Sequence, residues 1–170
     1  KTVSRYLDIL EGTYMAWRLP PWHANVGKRE VKAPKVYVAD TGILHHLLGI
    51  ASEPALMGHP KCGASWEGLL IREIIRRSGA GRDESFFWGV HTGAELDLLL
   101  LMEGRRLGFE IKLTRSPRLT RSMHSAREAL GLDHLYVVCH GDGPVAPLSE
   151  GISAVPFGSK ATKLGDVNAT

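Results

Sequence analysis

Phe109-Glu110-Ile111-Lys112-Leu113 alternates apolar and charged side chains over five positions. This is the pattern of a β-strand that buries Phe109, Ile111 and Leu113 and presents Glu110 and Lys112 together on its other side. Upstream, Asp97 stands alone inside Leu96-Asp-Leu-Leu-Leu-Leu101. A carboxylate in such an apolar strand costs about 2–7 kcal/mol if buried without a partner, so a lysine or a metal ion is expected beside it. Glu103-Gly104-Arg105-Arg106 between the two runs is short and polar, with a glycine suited to positive φ, and predicts a β-hairpin. With Glu103-Gly104 as the loop, Asp97 lies opposite Glu110; with Gly104-Arg105 it lies opposite Lys112. Both registers gather the three charged groups, whereas a three-residue loop without a bulge scatters them.

Before the hairpin, Ser65 to Arg77 sets Trp66, Leu69, Leu70, Ile74 and Ile75 at helical spacing, with Ser65 as the expected N-cap. Glu67 then falls in the first turn, where the helix dipole alone accounts for a carboxylate with about 0.3–1 kcal/mol. Phe86-Phe-Trp-Gly-Val90 and His134-Leu-Tyr-Val-Val-Cys139 read as further strands. Pro117 is placed to open a helix that runs through Met123, Ala126 and Leu130 to Gly131. A helix, three strands, a helix and a fourth, parallel strand follow in order. Ile152 to Phe157 adds an edge strand broken by Pro156.

The N-terminal part is organised differently. Val3, Tyr6, Leu7 and Leu10 predict a short helix closed near Gly12, followed by strands over 13–19 and 35–39 around a basic loop with Lys28, Arg29 and Lys32. Asp40-Thr41-Gly42 begins a second short helix that Gly49 ends. Helix plus basic hairpin suggests part of a winged helix, with DNA contact as one role and packing or dimerisation as the other. The expected division is a partial winged-helix-like segment over 1–50, a linker over 51–62, a core over 63–158 and a tail over 159–170. His45 and His46 point about 100° apart on a helix and read as surface residues; His59 and Cys62 lack the partners of a zinc site.

A 170-residue chain with 44% hydrophobic and 23% charged residues is globular, and one good core with a small appendage is within its reach. No apolar run approaches the ~20 residues needed to span a bilayer, and no signal-peptide core stands at the start, so the cytoplasm is the expected compartment and no membrane partner is expected. Cys62 and Cys139 are too isolated for a disulfide framework. No phosphate-loop motif is present, which excludes ATP hydrolysis by this stretch. A net charge of +3 and a pI near 9.0 permit DNA binding. Arg72, Arg76 and Arg77 lie along one helix, and Arg115, Arg118, Arg121 and Arg127 follow Lys112; with Lys28 and Arg29 they are candidate phosphate contacts, or simply solvated faces.

The order of Glu67, Asp97, Glu110 and Lys112 resembles the PD-(D/E)xK nuclease superfamily. The resemblance implies a restriction-endonuclease-like α/β (α+β) core, a mixed sheet flanked by helices. It also implies that Asp97, Glu110 and Glu67 hold Mg²⁺, or Mn²⁺ in its place, and that Lys112 assists the attacking water or the phosphate. Glu95 shares the face of Asp97 as in members with an E-x-D pair. Tyr6-Leu-Asp-Ile-Leu-Glu11, Lys28-Arg29, Pro34-Lys-Val-Tyr-Val-Ala-Asp-Thr-Gly42, Trp66-Glu67, Glu95-Leu-Asp97 and Phe109-Glu-Ile-Lys112 together are similar to domain of unknown function 4143, the nuclease-like module that follows the ATPase domain of many prokaryotic AAA+ ATPases. From it come the expectations of a P-loop ATPase domain ahead of Lys1, of DNA as partner, and of Mg²⁺-dependent DNA cleavage or an inactive module that docks nucleic acid or protein. It leaves homo-oligomerisation open.

Overall fold

A computed structural model describes residues 2–23, 33–90 and 93–158. Lys28, Arg29 and the expected tail over 159–170 lie outside the described residues. Among those described, the order is α1 (Thr2–Gly12), β1 (Ala16–Leu19), β2 (Lys35–Val38), α2 (Thr41–Leu47), α3 (Glu53–Met57), α4 (Cys62–Ser78), β3 (Ser85–Gly89), β4 (Glu95–Met102), β5 (Arg105–Lys112), α5 (Arg121–Leu130), β6 (His134–Cys139), β7 (Ala146–Ser149) and β8 (Ile152–Pro156). The result is a mixed α/β structure with a six-stranded sheet ordered β3-β4-β5-β6-β8-β7 and a separate β1–β2 ribbon.

Turn chemistry sets the centre of the sheet. Glu103 and Gly104 both take positive φ, 51° and 76°, the two-residue hairpin turn whose twist matches the strands. β4 and β5 therefore pair Met102↔Arg105 through Leu98↔Phe109, the first of the two expected registers. β5 and β6 run parallel, linked through α5, and β8 adds parallel to β6.

Each face of the sheet has its own apolar layer. Leu70, Ile71 and Ile74 of α4 pack on Leu98, Leu100, Phe109, Ile111, Tyr136 and Val138. Met123, Ala126 and Leu130 of α5 pack on Leu96, Leu99, Leu135, Val137 and Ile152. Leu96 and Leu99 share one layer although three residues apart, because β4 carries an extra residue against β3: Phe86 pairs with Leu99 but Trp88 with Leu96. This β-bulge falls at Asp97-Leu98 and re-aims the aspartate.

Several local expectations need correction. Ser65 does not cap its helix; α4 starts at Cys62 after Lys61, and Ser65 lies within it, bonded to His45 Nε2 at 2.8 Å. His45 therefore ties α2 to α4 and is not a free surface residue. Pro117 lies in a loop, and α5 begins only after Thr120, whose hydroxyl accepts from Met123 N. Leu113 follows the end of β5 and is 38% exposed. β8 is no edge strand, since β7 covers its outer side and Pro156 comes at its last position. Residues 53–57, expected in a linker, form α3 with Ser52 as N-cap.

Candidate functional site

Asp97, the strand residue that called for a partner, has two. Its Oδ2 accepts from the Ile111 backbone N–H at 2.9 Å, and its Oδ1 lies 3.4 Å from Lys35 Nζ. The same ammonium stands 2.9 Å from Glu67 Oε1, which also accepts from the Tyr37 hydroxyl at 2.6 Å. Glu67 is thus held by β2, not by the helix dipole: α4 has no acidic residue in its first turn, because the helix begins earlier than expected. On β5, Lys112 Nζ sits 2.7 Å from Glu110 Oε1, while Glu110 Oε2 is buried with no hydrogen-bond partner among the described residues.

Direct contacts join Glu67 and Asp97 through Lys35 and join Glu110 to Lys112, with the charge of Asp97 felt at Glu110 linking the two groups; the sequence expectation missed Lys35 and Tyr37. Alternation in Lys35-Val36-Tyr37, with Val36 exposed, was the available signal; it placed both side chains on one pleat without saying what that pleat covers. Gly68 explains how they arrive. A Cβ there would come within 2.6 Å of the Tyr37 ring, so only a glycine lets β2 approach α4 this closely.

Electrostatics bind the group together. Three carboxylates face two ammoniums, leaving an excess of negative charge. Burial first, and then the charge of Asp97, push the Glu110 carboxyl up to about 7 against the pull of Lys112. Burial and Glu67 likewise raise Asp97, opposed by the Ile111 N–H and Lys35. Burial alone would lower Lys35 and Lys112, yet the neighbouring carboxylates outweigh it and raise both. Burial, then Glu67, also push up the Tyr37 hydroxyl. Glu95 is exposed at the start of β4, where its charge reaches Tyr37.

For a divalent cation, the donor chemistry fits: oxygen ligands, surplus negative charge and an orphaned buried Oε2 on Glu110. As the side chains stand, no three His, Cys, Asp or Glu among the described residues form a metal-holding group, and Lys35 supplies the positive charge between Glu67 and Asp97. The basic candidates divide. Arg72 donates to the Ala39 carbonyl, and Arg76 pairs with Glu73 at 2.7 Å. Arg115 and Arg118 lie in the loop between β5 and α5 and not on the helix.

A mixed sheet whose central hairpin and first long helix converge on paired carboxylates and lysines defines the class. The profile of a domain of unknown function (DUF4143) matches residues 62–159, and that of a second domain of unknown function (DUF8612) matches residues 1–54. The chain belongs to the DUF4143 family, and every carboxylate of the site lies within that match. Lys35 and Tyr37 come from the stretch matched by the other domain. The uncharacterized protein Rv2008c of Mycobacterium tuberculosis and the uncharacterized protein Mb2031c of Mycobacterium bovis are each 43% identical over 155 residues, 91% of this chain and 34% of theirs. The chain spans about a third of the length of these curated relatives. No solved structure matches it.

Proposed function

We propose that the α4–β4–β5 cluster is a divalent-cation-dependent phosphodiesterase centre acting on DNA, in a restriction-endonuclease-like core. The observation that carries this is the set of carboxylates Asp97, Glu67 and Glu110 on three elements, the first two bridged by Lys35 and the third under the charge of Asp97, with negative charge in excess and one buried carboxylate oxygen unpartnered among the described residues. Asp97 and Glu110, with Glu67, would hold Mg²⁺ or Mn²⁺. The bound cation would lower the pKa of a water and offset charge gathering on phosphorus. Asp97 is held in place by the Ile111 N–H, and Tyr37 fixes Glu67. Lys112, tethered 2.7 Å from Glu110 and 40% exposed, is free to swing toward a phosphate oxygen or the attacking water. Arg115 and Arg118 follow it on the chain and would steady the flanking phosphates. The resemblance further suggests that the centre serves a preceding P-loop ATPase domain in a longer polypeptide.

A calorimetric titration of the chain with Mg²⁺ and Mn²⁺, paired with plasmid cleavage, tests this. Heat that disappears in Asp97→Asn, and nicking lost in Asp97→Asn and Lys112→Met, are expected; the absence of any carboxylate-dependent heat sinks the assignment.

One observation favours a second account. Lys35 and Lys112 together give all three carboxylates an ion pair, which is what a catalytically silent scaffold that docks nucleic acid or protein requires. Salt-dependent DNA binding without cation heat or cleavage would establish it.

A further inference from the structure

Beyond the carboxylate cluster, the carboxyl ends of the parallel strands β5, β6 and β8 open into a cavity of about 500 Å³. Crevices at this end of parallel strands are where α/β sheets accept ligands, and the volume lies within the ~300–1,000 Å³ usual for small-molecule sites. Its lining is aromatic and basic. The Trp66 ring lies 5.8 Å from His140 and 5.8 Å from Phe157, centre to centre, and Arg115 and Asp142 complete the polar part. Arg115 makes no hydrogen bond or ion pair among the described residues.

Two walls of this cavity are continuous with the cluster. Trp66 immediately precedes Glu67 on α4. His140 follows Cys139, the β6 partner of Lys112, and its N–H donates to the Thr114 carbonyl at 2.9 Å, just before Arg115. The cavity walls thus stand one residue from Glu67 on α4 and next to the β5–β6 pair that carries Lys112.

We propose that the cavity receives one unstacked nucleotide of a single-stranded nucleic acid, its base against the Trp66 and His140 rings and its phosphate on Arg115. Aromatic faces hold any base by stacking, the guanidinium meets the phosphate, and Asp142 offers an acceptor to a base N–H. A duplex keeps its bases stacked on one another and cannot present that face without extrusion. The choice of a strand over a free nucleotide rests on the phosphodiesterase assignment, since only a polymer continues from the cavity into the cluster.

The test is fluorescence anisotropy of a labelled decathymidylate on the 170-residue chain in EDTA, beside an abasic strand of the same length, a duplex, and thymidine 5′-monophosphate as competitor. The thymidylate strand is expected to bind about tenfold more tightly than the abasic strand. Trp66→Ala should erase that preference. Arg115→Gln, at a loop position that leaves folding intact, should weaken both strands and lower the salt slope by about one. Competition by the monophosphate at concentrations equal to the strand would reassign the cavity to free nucleotides. Equal affinity for the abasic strand, tighter binding of duplex, no binding at all, or an unchanged salt slope in Arg115→Gln overturns the proposal. Because no cation is present, failure here leaves the carboxylate cluster standing, whereas missing cation heat removes the phosphodiesterase assignment and not the cavity's base preference.

Discussion

Two antiparallel hairpins meet at the carboxylates, and they do so by different means. β4–β5 is local: its two-residue turn sets the register that carries Asp97 and Glu110, before the bulge against β3 re-aims Asp97. β1–β2 is joined across residues 20–34, pairs Trp17 with Tyr37 in a stack of 4.6 Å, and matters through the one pleat that reaches α4. The first hairpin contributes charge that is expensive to bury, and the second contributes the ammonium and hydroxyl that make the burial tolerable. A catalytic-looking strand thus depends for its electrostatics on a segment matched by another domain.

The largest effect should come from the local hairpin. Phe109 is 1% exposed beneath α4, so Phe109→Ala should lose about 3–5 kcal/mol in urea unfolding. Val36→Ala, on the exposed side of β2, should change stability by less than about 0.5 kcal/mol; similar losses at both positions would erase the contrast between the hairpins.

Next in size is a pH effect from the same hairpin. The folded Glu110 carboxyl lies above its unfolded value of 4.5, at about 7, so the folded state keeps its proton longer. Its contribution is fully present below about pH 4.5 and is lost as pH rises through about 7, a loss on the order of 3 kcal/mol. Unfolding free energy in EDTA should fall between pH 5 and pH 8, and Glu110→Gln should flatten the slope; an unchanged slope would mean Lys112 already balances the charge.

The long-range link should be smaller, because Lys35 and Glu67 are each about a quarter exposed. A double-mutant cycle of Lys35→Met and Glu67→Gln should give a coupling of about 1 kcal/mol. A coupling near zero would reduce β1–β2 to packing alone. The smallest effect belongs to Arg76, 68% exposed and paired with Glu73 on the same helix: Arg76→Ala should cost under about 0.5 kcal/mol and leave DNA affinity nearly unchanged.

Element order in the core was legible because each element is marked within a few residues: an apolar run for β4, alternation for β5, helical spacing for α4, a β-branched and aromatic run for β6. Element ends were less so. Ser65 and Pro117 carry genuine helix-start signals, but helix α4 extends backward to Cys62 and α5 waits for Thr120, since packing on the sheet outweighs a single cap. Asp97 was readable as a charge in an apolar strand that demands compensation, and Glu110 and Lys112 as charges sharing one face; Glu67 read as a helix-start carboxylate and joined them only through the family resemblance.

What compensates them was decided only in three dimensions. The bulge at Asp97-Leu98 arises from β4 pairing with β3 and leaves no mark in the alternation of either strand. Lys35 lies 62 positions from Asp97 in the chain, and Tyr37 reaches Glu67 only because Gly68 has no Cβ in its path. Periodicity and turn chemistry act between near neighbours and are written in order along the chain. Charge neutralisation acts through space, so the partner of a buried carboxylate is whichever ammonium the packing of distant elements delivers.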